Sequence, residues 1–222
     1  MKRATILLVL ACGTLHAQFE GVVESRNLTI DETGLQQEFT MTMYVKDAMA
    51  RVSNSAIGSS PPVTMIYRQD LNVIWMINDE ERSYYEVSRA DEPADYGVPG
   101  NGDEKAVIRK TKRTRKILGY SCEQFLVRRS DAETEIWGSR KLAGLARSLA
   151  RALGQERTGQ QEAAWNDELT RMGVFPLAAT TRIGGQVVEM QEVTRIEPRS
   201  LSDDLFSLPE GYRKQSVGEL LK

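Results

Sequence analysis

The sequence predicts an α+β fold, mainly β, organised around one antiparallel sheet. Three observations carry this. Apolar and polar residues alternate through most of the chain, the mark of half-buried strands. Short turns rich in Gly, Asn and Asp separate the alternating runs. Only residues 142–153 and 162–172 change to a helical period.

The first strands are the clearest. Leu35, Phe39, Met41, Met43 and Val45 alternate with Gln36, Glu38, Thr40, Thr42 and Tyr44. Residues 19–30 read as the partner strand, and Asp31-Glu32-Thr33-Gly34 as the hairpin turn. Residues 48–57 follow as a third strand, before the break Gly58-Ser59-Ser60-Pro61-Pro62. Three short strands then form a meander over 63–68, 73–77 and 83–87. Residues 89–104 are dense in Gly, Pro and acids and read as an exposed loop. Strands resume over 106–117, 121–128 and 133–138.

Leu142, Leu145, Leu149 and Leu153 then recur at helical spacing, with Gly154 as the stop. Trp165, Leu169 and Met172 fall on one side of a second helix. Residues 176–183 and 186–196 are strands about the hairpin signal Gly184-Gly185. Leu201 to Phe206 holds one capped helical turn before Pro209.

Met1-Lys2-Arg3, an apolar run from Ala4 to Ala11 and the small residue Ala17 have the order of a secretory signal peptide, residues 1–17. The apolar run is far shorter than the roughly 20 residues that cross a bilayer. Two processing routes are compatible with it. Cleavage after Ala17, the favoured one, leaves a periplasmic or secreted chain over residues 18–222, enough for a single domain. Val9-Leu10-Ala11-Cys12 also looks like a lipobox, which would anchor a lipoprotein at Cys12.

Composition excludes several chemistries. The chain has 1 histidine, His16, which falls in the signal. The mature chain then lacks imidazole for a Ser-His-Asp triad, a Cys-His pair or a His-ligated zinc site. No catalytic constellation and no cofactor motif appears, so the expectation is a protein that is not an enzyme and binds neither metal nor cofactor. With Cys12 removed or acylated, Cys122 has no partner in its chain and reads as a small buried residue.

Arg109, Lys110, Lys112, Arg113, Arg115 and Lys116 crowd one strand. Nucleic acid is a poor partner for them: the formal net charge is −2, and no stacking aromatic interleaves the run. A membrane surface with acidic head groups suits them physically. A solvated strand facing acidic neighbours is the simpler account. Among apolar residues, Phe39, Met41, Met43, Met65, Trp75 and Trp137, with Leu145 and Leu149 of the first helix, are candidates to line a cavity. Met suits variable apolar ligands because it is flexible and polarisable. Filling the core beneath the helix explains the same residues.

Three segments resemble a known family. Thr111-Lys112 and Lys116-Ile117-Leu118-Gly119-Tyr120-Ser121-Cys122-Glu123-Gln124-Phe125, followed by Glu135-Ile136-Trp137-Gly138-Ser139, are similar to the central signature of an uncharacterised bacterial family of exported proteins. Gly173-Val174-Phe175-Pro176-Leu177 resembles its turn into a late strand. Ser202-Asp203-Asp204-Leu205-Phe206 to Pro209-Glu210-Gly211-Tyr212 resembles its closing segment. That family is a domain of unknown function, related in fold to the periplasmic lipoprotein carriers of the LolA/LolB type. The resemblance implies a curved antiparallel half-barrel with one or two helices on its concave face, where the carriers hold acyl chains. A lipid, a lipoprotein acyl chain or another apolar ligand is therefore the expected partner. The carriers' arginine motif has no match in this chain. An interaction protein of the cell envelope without a small ligand is the alternative.

Overall fold

A computed structural model describes residues 18–55, 62–88, 106–154 and 164–216. Residues 1–17, read as a signal peptide and holding Cys12, and residues 89–104, read as an exposed loop, lie outside the described residues. Twelve strands form one sheet. In chain order they are β1 (Gly21–Ile30), β2 (Gln36–Lys46), β3 (Met49–Asn54), β4 (Val63–Arg68), β5 (Val73–Asn78) and β6 (Ser83–Ser88). After these come β7 (Val107–Ile117), β8 (Tyr120–Arg129), β9 (Ala132–Ser139), β10 (Phe175–Ile183), β11 (Gln186–Pro198) and β12 (Arg213–Gln215). Among the described residues between β9 and β10 lie two α-helices, α1 (Ala143–Ala152) and α2 (Ala164–Arg171).

The strands lie in the order β12-β6-β5-β4-β3-β2-β1-β11-β10-β9-β8-β7. Two meanders are thus joined through β1 and β11, which are distant in sequence. Every pairing is antiparallel except β12 on β6.

Turn chemistry fixes the register. Asp31 Oδ1 accepts from the Thr33 and Leu35 amides at 2.9 and 3.0 Å, closing the first hairpin. Leu118-Gly119 joins β7 to β8 with φ of 49° and 79°. Gly184-Gly185 joins β10 to β11 with φ of 56° and 85°. Two successive positive φ values match the right-handed twist of the flanking strands. Leu118 tolerates one of them at a steric cost that glycine avoids.

α1 packs against β2, β3 and β10. Strands β3 and β10 are four spacings apart in the sheet order, roughly 19 Å if the sheet were flat. A helix is only about 10–12 Å across, so the sheet curves around it. Leu142, Leu145, Ala146, Leu149 and Ala152 meet Val23, Met43, Val45, Ala50, Cys122, Trp137, Phe175 and Leu177 in the main core.

The reverse face carries a further cluster. Leu201 and Phe206 cover Val22, Ile66, Trp75 and Ile77. Three cations on neighbouring strands hold that closing segment. Lys46 Nζ donates to the Leu201 carbonyl at 2.8 Å, and Arg51 and Arg68 donate to those of Leu205 and Phe206 at 3.4 and 3.2 Å. At the other end, Leu169 of α2 and Val174 cover Phe125, Val127 and Ile136.

Candidate functional site

A groove of about 330 Å³ opens beside the α1-covered core. Strand register assembles it. Leu28 lies opposite Glu38 on β2 and Met190 on β11, and Arg26 lies opposite Glu192. Met190 and Glu192 lie opposite Thr180 and Ala178 of β10. Those two lie opposite Glu135 and Trp137 of β9. Paired residues of neighbouring strands point to one side of a sheet, so five strands contribute to a single surface. Arg115 of β7 closes one end.

Trp137 is the wall shared by groove and core. Its ring joins the cluster under α1, and its Nε1–H donates to Glu135 Oε1 at 2.7 Å. The Arg115 guanidinium sits 4.4 Å from the ring centroid, in cation–π contact. The indole is thereby fixed from its face and its edge. Leu28, Ala178 and Met190 add apolar surface, and Met190 is exposed. Arg26 and Glu192 form an exposed ion pair at 3.5 Å. The rim holds Arg26 and Arg115 against Glu38, Glu135 and Glu192. Apolar floor and mixed-charge rim together suit an amphipathic molecule. Among the described residues, no three His, Cys, Asp or Glu side chains converge as a metal cluster.

The eight residues singled out from the sequence are distributed unevenly. Met43, Trp137, Leu145 and Leu149 are buried together, with Met41 half-buried at their margin. Phe39 and Met65 are also half-buried. Phe39 lies opposite Asn27, and Met65 opposite Val52 and Met76. Trp75 alternates to the reverse face, buried with Phe206, and its Nε1–H donates to Glu86 Oε2 at 2.9 Å. Strand periodicity separates it from Met65 and Met43, because its register partner is Ile66. Of the eight, only Trp137 borders the groove.

Arg26, Glu38, Met190 and Glu192 escape sequence reasoning. Each occupies a position that reads as solvent-facing within its own strand. Only the β1–β11 pairing brings them together, and nothing local signals a pairing over such a separation.

The family described as "Domain of unknown function (DUF4412)" matches residues 19–212. The chain belongs to the DUF4412 family. No curated protein matches this DUF4412 chain. Among solved structures it is similar to an uncharacterized conserved protein from Thermus thermophilus, at 10% identity and a TM-score of 0.52, covering 89% of this chain and 91% of that one. That likeness bears on the fold alone. It also aligns with PNGF-II, at 13% identity and a TM-score of 0.42 over 90% of this chain and 32% of that one. A LolA superfamily protein from Nitrosomonas europaea aligns at 9% identity and a TM-score of 0.37, over 86% and 90% of the two chains. The DUF4412 fold is the mainly-β α+β architecture with a curved open sheet that the resemblance implied.

Proposed function

We propose that this DUF4412 protein is an exported, non-enzymatic binding protein that holds an amphipathic, acyl-bearing ligand in the groove beside Trp137. The observation that carries the reading is the groove itself. Leu28, Ala178, Met190 and Trp137 offer apolar contact, while Arg26 and Arg115 stand at its rim for an acidic head group. Its volume lies at the lower end of the roughly 300–1,000 Å³ typical of small-molecule sites. The concave face beneath α1 is a poorer candidate, because Leu145, Leu149 and Met43 already fill it. Export rests on the order of basic, apolar and small residues in 1–17. Among the described residues, no helix is long and apolar enough to cross a membrane.

Titration with dansyl-undecanoic acid tests the reading. Saturable binding is expected, and Ala178→Trp, which fills the groove, should abolish it. Thr180→Trp checks the same wall should the first variant fold poorly. Binding that survives both substitutions in folded protein would place the ligand elsewhere. No binding to the unmodified protein, with a clean apo mass for protein taken from its native envelope, would sink the reading.

A further inference from the structure

We infer that the outer edge of β7 is a docking strand for an acidic, extended peptide segment of a partner protein. β7 ends the sheet order, so its outer edge meets no other described strand. An unmatched strand edge presents backbone N–H and C=O groups that pair with an added strand.

The side chains on this edge select the partner. Of its six cations, Lys110 pairs with Glu123, and Arg115 lies over Trp137. Arg109, Lys112, Arg113 and Lys116 are exposed and make no ion pair among the described residues. They also occupy both sides of the strand. Arg109 lies opposite Leu126 and Lys116 opposite Ser121, positions of opposite parity on β8.

A flat anionic surface would meet only one of those sides. An added strand carries alternate side chains to both, and a cross-strand charge pair forms on each. A second copy of β7 would set like charges against each other, which disfavours self-pairing. An extended segment rich in Asp and Glu meets both conditions. The register irregularity between Lys110 and Thr114 divides the edge, leaving two short stretches for backbone pairing.

The test uses the full mature chain and a fluorescein-labelled peptide of Asp, Glu, Thr and Val, followed by anisotropy at low salt. Saturable binding is expected, weakening as salt screens the charges. Arg109→Glu, Lys112→Glu, Arg113→Glu and Lys116→Glu combined should weaken it by about tenfold or more. N-methylation of alternate peptide residues removes backbone donors but no charge, and should weaken binding to a similar degree. Equal binding of the N-methylated peptide would overturn strand addition. So would failure to bind the parent peptide, or tighter association with phosphatidylglycerol vesicles than with the peptide.

Discussion

Arg115 of β7 lies over the ring of Trp137 of β9, two strands away, at 4.4 Å from its centroid. β8 lies between them in the sheet, so the contact crosses a full strand and ties the basic edge to the core. An exposed cation–π contact stabilises by about 0.5–1 kcal/mol. Arg115→Ala should lower unfolding stability by that amount in urea titrations. Arg115→Lys should recover part of it, because the charge remains while the planar stacking is lost. No loss of stability on Arg115→Ala would show that the ring contact contributes nothing.

Gly138 is required by its neighbour, not by its backbone angle. A Cβ at this position would collide with Val174 Cγ1 and approach the Phe175 carbonyl oxygen at 3.1 Å. Val174 is only 1% exposed and is packed with Phe125, Ile136 and Leu169. Gly138→Ala should therefore cost about 1–3 kcal/mol, the range for overpacking a filled core. Adding Val174→Ala should make the glycine change less costly than it is alone. A double-mutant cycle by urea unfolding measures that coupling, and strict additivity would contradict the clash.

The order of legibility follows the range of the interactions. Asp31 through Gly34, Leu118-Gly119 and Gly184-Gly185 encode their turns within a few residues, so the hairpins could be read from sequence. So could the α1 stripe of Leu145 and Leu149, whose period is set by the helix itself. Trp75 could not be placed, because its side depends on whether Ile66 or Met65 is its cross-strand partner. β12 was equally hidden. Three residues give no period, and parallel pairing with Ser83–Tyr85 joins segments far apart in the chain. The groove depends on the same kind of information, since Arg26 and Glu192 meet only through β1 and β11.

Glu86 couples this short last strand to the meander. Its carboxylate accepts from Lys214 at 2.6 Å and from the Trp75 indole at 2.9 Å. Those bonds, Lys214 first, hold its pKa below the ordinary 4.5, against the opposing effect of burial. A carboxylate more acidic when folded than unfolded stabilises the fold fully above its unfolded pKa. That contribution is lost as pH falls through the lower folded value. The wild type should thus lose stability below about pH 4.5 faster than Glu86→Gln, which has no charge to lose. Urea midpoints between neutral and strongly acid pH make the comparison; parallel acid limbs would rule out the coupling.

Cys122 is fully shielded in the core under α1, and its Sγ donates weakly to the Tyr120 carbonyl at 3.6 Å. Burial pushes its thiol pKa up, and neither the backbone bond near Ile117 nor the charge of Arg115 reverses the shift. The nucleophile is the thiolate, so shielding and a raised pKa both suppress reaction. Ellman's reagent should leave native protein essentially unmodified and react fully once denaturant exposes the core. Rapid labelling of the native state would contradict the packing. The denatured thiol count also reports on processing. Cleavage after Ala17 leaves Cys122 as the sole cysteine, so one thiol per chain is expected, and two would mean that Cys12 is retained and unmodified.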